Sequence, residues 1–270
     1  IHWVDINAIL SADDLIYVVA RDTTALRKAM EQLEETMKEL ERSNRELQDF
    51  AFVASHDLQE PLRKIQAFSD RLIARSEDLG EREKDYLRRM QSAAGRMQAL
   101  IEDLLSYSRV TTRAKPMVAC NTNEILSEVL VDMETSIGRA QGKVDAETLP
   151  ETWGDAMQLR QVLQNLLSNA IKFHAPDRPP VVQVRAEDIT NDAWTLVVSD
   201  NGIGFDERYA EKLFHPFQRL HQKEGYPGTG IGMAIVKKIL DRHGASVSLN
   251  SQPGTGTTFR IRLRSGQGAA

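Results

Sequence analysis

The chain of 270 residues has a single cysteine, Cys120. No intrachain disulfide can form, and a reducing cytosol is the expected setting. No uninterrupted apolar run approaches the roughly 18–20 residues that span a bilayer, so no membrane segment is expected. Neither sign of charge dominates: 34 basic against 39 acidic residues leave a net charge of -5. That balance gives no broad electrostatic case for nucleic acid or an anionic membrane as partner. The histidines at His2, His174, His215, His221 and His243 share no spacing and have no cysteine partners, so no transition-metal site is expected. A leading methionine and a secretory signal are also missing, and the sequence reads as a fragment of a longer protein. What is there is ordinary for a globular chain, 41% hydrophobic and 27% charged, and long enough for two domains with separate cores.

Two strands are expected first, Ile1–Leu10 and Leu15–Arg21, broken by Ser11-Ala12-Asp13-Asp14. A lone hairpin is marginal in water, so it must pack on something or be a remnant. From Ala25 the pattern turns helical. Leu26, Leu33, Leu40 and Leu47 recur every seven residues, and Met30, Met37, Asn44 and Ala51 stand four after each. This is a heptad seam with leucine at d, which predicts a parallel dimeric coiled coil; Asn44 at an a position would fix register. Carried forward, the register puts Ala54 at d and Leu58 at a. His56 then falls at f, facing water, with Asp57 at g. Pro61 predicts a bend just after the histidine.

A second helix is expected over about 82–109, with Met90, Met97 and Leu104 at seven-residue spacing and Ser76–Gly80 as the turn before it. Two such helices per chain, paired in a homodimer, predict a four-helix bundle. Residues 113–116 read as a hinge. Beyond it, helices near 122–137, 155–173 and 231–243 alternate with strands near 143–148, 180–187, 193–200, 245–251 and 257–263. That predicts an α/β layer with helices on one face of a mixed sheet. Residues 205–230 lack a firm pattern and read as a lid. The expected fold class is therefore α+β and multidomain: hairpin 1–24, coiled coil 25–48, dimerisation helices 49–112, hinge 113–116, α/β layer 117–264 and tail 265–270.

Four short blocks carry the chemistry. In Ser55-His56-Asp57-Leu58-Gln59-Glu60-Pro61-Leu62 a neutral imidazole is an adequate nucleophile near pH 7, and an adjacent carboxylate can hold its other ring nitrogen protonated. In Asn165-Leu166-Leu167-Ser168-Asn169-Ala170-Ile171-Lys172-Phe173 the two asparagines lie four apart on one helix face. Amide oxygens are suitable hard ligands for Mg²⁺. Lys172 and Phe173 add a cation and a ring. In Asp200-Asn201-Gly202-Ile203-Gly204-Phe205 a carboxylate ends a strand before a sharp turn. Gly228-Thr229-Gly230-Ile231-Gly232 opens a helix, where glycines admit phosphate to free backbone amides.

In this order and spacing the blocks resemble the H, N and two glycine boxes of sensor histidine kinases over about residues 44–264. The resemblance implies a HisKA-type phosphotransfer domain followed by a Bergerat-fold ATP-binding domain. It implies His56 as phosphoacceptor assisted by Asp57, and Asn169 as the Mg²⁺ ligand with Asn165 beside it. It further implies Lys172 on phosphate, Phe173 bordering the nucleotide, and Asp200 accepting from the adenine amine. Gly202, Gly204, Gly228, Gly230 and Gly232 shape the ATP site, and Phe214, Phe217 and Arg219 match the phenylalanine-bearing box of the lid. Gly254-Thr255-Gly256-Thr257-Thr258-Phe259 resembles the last glycine box, which brings Thr258 to the ATP site. Asp22-Thr23-Thr24 resembles the exit of a PAS sensor domain, so residues 1–24 are expected as its C-terminal remnant. The lid run from Phe217 to Gly230 is similar to phytochrome-type and multi-PAS kinases. The cofactors implied are ATP and Mg²⁺, and the partner is a response-regulator receiver domain.

Two other readings compete, a silent dimeric scaffold and a gyrase-like ATPase. Intact His56, Asn169 and Asp200 weigh against the first; Asn165, where such ATPases carry a glutamate base, weighs against the second. The chain departs from the commonest subfamily at Glu60, which stands where a threonine or asparagine orients the dephosphorylating water. Weak phosphatase activity is expected from it.

Overall fold

A computed structural model describes residues 3–10, 16–75, 80–112, 114–220, 226 and 228–266. It falls into two compact units, Ile1–His56 and Asp57–Ala270.

The first unit begins with the expected hairpin. Strands β1 (Val4–Leu10) and β2 (Ile16–Asp22) pair antiparallel, with Val4 opposite Asp22 and Leu10 opposite Ile16. The exit into the first helix is locally fixed. The Thr24 amide donates to Asp22 Oδ1 at 2.9 Å and the Thr23 amide to the Trp3 carbonyl at 2.8 Å. The Arg27 guanidinium lies 4.4 Å from the centre of the Trp3 ring. The α1 helix then runs unbroken from Thr24 to Arg75. Its seam residues Leu26, Met30, Leu33, Met37 and Leu40 are each between 55% and 69% exposed; an isolated helix of this pattern has nothing of its own to bury them against. At Pro61, where a bend is expected, the helix is continuous. The proline removes one N–H from the ladder, and the turns on either side carry the helix through.

In the second unit the later part of α1 pairs antiparallel with α2 (Glu81–Thr112). Gln91 donates to Asp70 at 2.5 Å, and Leu62, Ala94, Ile101 and Leu105 form a small shared core. A second stripe stays uncovered: Leu58, Ile65 and Leu72 on α1, and Met90, Met97 and Leu104 on α2, all at seven-residue spacing. The α2 helix ends three residues later than the sequence suggests, because its C-terminus joins the larger core. Val110 is buried among residues of the α/β layer, and its carbonyl accepts from Gln158 Nε2 at 2.7 Å.

That layer contains a five-stranded mixed sheet with β4 (Lys143–Ala146) at one edge, followed in space by β6 (Val181–Glu187), β7 (Ala193–Asp200), β9 (Gly256–Arg264) and β8 (Ser246–Gln252). Only β4 with β6 is parallel. The helices α3 (Thr122–Arg139), α4 (Ala156–Lys172) and α6 (Gly232–Arg242) share one core with the sheet, and a single-turn helix, α5 (Ala210–Leu213), precedes α6. Alternate residues explain how. Val182 and Val184 on β6, and Phe259, Ile261 and Leu263 on β9, are buried, while the residues between them are more exposed, as one covered face requires. Trp194 is fully buried and donates from Nε1 to Thr152 at 3.1 Å.

The sequence pattern missed a second sheet of two short strands, β3 (Val118–Cys120) and β5 (Thr152–Gly154). Three-residue strands that pair across some thirty positions leave no periodicity to read. The stretch expected as a hinge is tied at one residue through both its backbone polar groups. The Lys115 amide donates to Asp155 at 2.8 Å, and its carbonyl accepts from Arg242 at 2.6 Å.

Candidate nucleotide site

A cavity of about 340 Å³ opens between α4, the end of β7, the loop before α6 and the side of α2. The α4 helix supplies most of its polar wall. Asp155 caps that helix by accepting from the Met157 and Gln158 amides. Leu159, Leu163, Leu166 and Leu167 bury its apolar face and so turn Asn165, Asn169 and Lys172 toward the cavity. Asn165 Nδ2 donates back to the Gln161 carbonyl at 2.9 Å. Its Oδ1 is then left facing Gly232, where an added Cβ would sit only 2.7 Å from it. Lys172 lies 4.4 Å from the centre of the Phe173 ring. Burial holds its ammonium below the ordinary lysine range; Arg219 lowers it further and Asp103 opposes.

Asp200 closes β7 at the opposite wall. Its Oδ1 accepts from the Gly202 amide at 2.8 Å and the Thr257 amide at 3.1 Å. Burial raises its carboxyl above the usual range, while these two bonds and the Arg178 charge pull the other way. Both bonds fall on Oδ1, so Oδ2 is the oxygen available to a ligand N–H. The loop before α6 approaches closely from above: Gly230 has φ of 78°, and a Cβ there would lie 2.7 Å from the Gln218 carbonyl. A side chain at this position is excluded twice over.

Most residues singled out in the sequence therefore line one cavity: Asn165, Asn169, Lys172, Phe173, Asp200, Gly204, Arg219, Gly228, Gly230 and Gly232. Gly202 supports the wall from behind by donating to Asp200. Phe214 and Phe217 do not line the cavity; Leu213, Gln218 and Leu220 do. Thr258 also lies off it. Strand alternation turns it to the other face of β9, where it bonds Ser199 at 3.0 Å, and its neighbours Thr257 and Phe259 take the cavity side. His56 and Asp57 are on α1, at the division between the two units, and their side chains lie outside the described residues. Glu60 forms an ion pair with Lys64 at 2.6 Å.

Sequence reasoning missed Ala99 and Asp103, which reach the cavity from α2. The Thr229 hydroxyl donates to Asp103 Oδ2. A seven-residue repeat marks α2 as a bundle helix and carries no signal for a second contact surface on its flank.

Chemically the cavity offers an apolar floor, a carboxylate that can accept from an amine, two cations and backbone amides at a helix start. This combination suits a ligand with a polar-edged ring at one end and anionic groups at the other. Among the described residues no cluster of three or more His, Cys, Asp or Glu could hold a metal ion. The fitting donors are the amide oxygens of Asn165 and Asn169, too few for a protein-only cage. A hard divalent cation here would complete its shell with water and ligand phosphate, as Mg²⁺ does.

Residues 46–113 match the His Kinase A (phospho-acceptor) domain, and residues 154–267 match the histidine kinase-, DNA gyrase B- and HSP90-like ATPase. The chain is 39% identical over 239 residues to the phytochrome-like protein Cph1 of Synechocystis, an alignment that covers 88% of this chain and 32% of that protein. It is 29% identical over 262 residues to the cell-division control histidine kinase PdhS of Brucella suis, covering 90% of this chain and 25% of the relative. The chain thus spans between a quarter and a third of these relatives. The full-length structure of ShkA in complex with AMPPNP shares the fold, with a TM-score of 0.61 at 22% identity over 80% of this chain and 46% of that one. With both matches in register with the four blocks, the chain belongs to the sensor histidine kinases and holds their phosphoacceptor and ATPase regions.

Proposed function

We propose that this chain is the kinase core of a two-component sensor. It binds Mg·ATP in the cavity, transfers the γ-phosphoryl group to His56, and passes it to an aspartate on a response-regulator receiver domain. The observation that carries this reading is the convergence of Asn165, Asn169 and Lys172 with Asp200 and the glycine loop on one cavity. Asp200 accepts from the adenine amine, and Phe173 borders the ring. Lys172, Arg219 and the amides that open α6 hold the phosphates, the charge pattern that phosphoryl transfer requires. Asn169, with Asn165 beside it, holds Mg²⁺, which when bound neutralises phosphate charge. One ring nitrogen of His56 attacks the γ-phosphorus; the N–P bond forms as the bond to the β,γ-bridging oxygen breaks and ADP leaves. The Asp57 carboxylate keeps the other ring nitrogen protonated, so that the attacking one carries the free electron pair.

The core acts as a homodimer. The exposed heptad residues of α1 and the second stripe of the helix pair are what a second copy would cover. The hairpin, with its fixed exit through Asp22, Thr23 and Thr24, is read as the end of a PAS sensor domain.

Incubation with γ-labelled Mg·ATP tests the central claim. Acid-labile label on the intact chain, absent from His56→Gln, is the expected outcome; label that survives in the variant would assign the acceptor elsewhere. Glu60 sets a second expectation, weak phosphatase activity, since a carboxylate beside an aspartyl phosphate repels it. Dephosphorylation of the regulator well above its own rate, equal in wild type and Glu60→Ala, would count against this.

A further inference from the structure

Tyr226 does not itself line the cavity, yet it touches two residues that do, Phe173 and Arg219, and the backbone just past the helix that bears Asn169. Its hydroxyl donates to the His174 carbonyl, just past the end of α4, at 2.8 Å. Its ring packs on Phe173 with centroids 5.4 Å apart and planes tilted by 38°. Its own carbonyl accepts from Arg219 Nη2 at 2.9 Å. Phe173 in turn carries Lys172 against its ring at 4.4 Å. One residue therefore ties the incoming limb of the lid, through Arg219, and the outgoing limb, to which it belongs, onto the end of the helix that bears Asn169 and Lys172.

We infer that Tyr226 is a positioning residue for the nucleotide. It sets Phe173 against the base and holds the Arg219 and Lys172 cations together where the phosphates will lie; the inference rests on the ATP reading of this cavity. Such a tie answers a physical need. Lys172 is half-buried, and the like charge of the exposed Arg219 makes its ammonium less favourable until an anion arrives. With no anchor, the exposed Arg219, on a long and flexible side chain, would sample many positions in water, and the nucleotide would have to gather it again on binding. Tyr226 removes that ordering cost in advance. The anchor has separable parts: a phenylalanine keeps the ring packing and the backbone acceptor but loses the hydroxyl bond, whereas an alanine loses ring and hydroxyl together.

The test uses the whole chain and measures KM for ATP and kcat of autophosphorylation for wild type, Tyr226→Phe and Tyr226→Ala, with the unfolding midpoint of each nucleotide-free protein. The expected result is a graded rise in KM, about two- to threefold for Phe and about tenfold for Ala, with kcat within about twofold and the midpoint unchanged. A merely structural role would lower the midpoint and kcat at constant KM. That pattern, or a Tyr226→Ala protein with wild-type KM, overturns the inference and leaves the ATP reading intact. Failure of wild type to bind ATP at all overturns both.

Discussion

Two side chains of the cavity are displaced from their ordinary titration ranges by burial, in opposite senses, and each gives a residue-scale expectation. In the proposed function Asp200 serves the ligand as a carboxylate, and burial raises its carboxyl above the usual range. Nucleotide affinity should therefore begin to fall, as pH is lowered, sooner than for an ordinary aspartate, and Asp200→Asn should bind at least about tenfold more weakly with that acid limb flattened. Titration of binding against pH for both proteins checks this. In the same proposal Lys172 serves as an ammonium, and burial holds its pKa below the ordinary lysine range. Phosphate binding should weaken on the alkaline side before a free lysine would lose its proton, and Lys172→Arg should extend the plateau upward. At this scale the sequence was readable wherever a residue acts from its own motif. It misled at Thr258, because the choice between it and Thr257 depends on which face of β9 is covered, and no single-strand pattern states that.

Among the elements, the join between α4 and α6 rests on a histidine. The Asp155 amide donates to His243 Nε2 at 3.0 Å, so that nitrogen must be unprotonated, and Nδ1 donates to the Ile239 carbonyl at 2.8 Å. Burial lowers the His243 pKa, followed by smaller effects of its neighbours. A histidine whose folded pKa lies below its unfolded one contributes stability that is present above the unfolded value and is lost as pH falls through the folded one. The α/β layer should thus lose stability below about pH 6.5, the ordinary histidine value, and His243→Ala should remove most of that slope; thermal unfolding across pH 5 to 8 is the readout. In the α6 core, Ile239 is fully buried, and Ile239→Ala should cost about 2–5 kcal/mol. Helix positions were legible because α3, α4 and α6 each bury one periodic face. The β3–β5 pair was not, since its bonds exist only once distant segments have met.

For the molecule as a whole, the uncovered seam makes a quantitative demand. Charging two seam positions, Leu33→Glu with Leu40→Glu, removes apolar burial worth roughly 1.5–3 kcal/mol per side chain. Dimer affinity should fall at least about a hundredfold, a change that sedimentation equilibrium resolves; an unaltered dimer would place the interface elsewhere. The contact of Asp103 with Thr229 makes another. If phosphates enter this cavity as proposed, a carboxylate reaching into it from α2 opposes them, so Asp103→Asn should bind ATP several-fold more tightly, measurable by calorimetry. The repeat in α2 announced a bundle helix but not this second allegiance, because spacing records the face a helix shares with its partner and is silent about its flank.

The unbroken helix that leaves the hairpin at Thr24 has a geometric consequence of its own. At 1.5 Å and about 100° per residue, the 32 steps to His56 make a shaft roughly 48 Å long and close to nine turns around. Such a shaft conserves phase. One residue inserted between Thr36 and Leu40 would advance position 56 by about a quarter-turn relative to the hairpin, while seven would return it nearly to its starting bearing. Output plotted against insertion length should then oscillate rather than decay, and the period of that oscillation would tell whether the input arrives as rotation or as thrust.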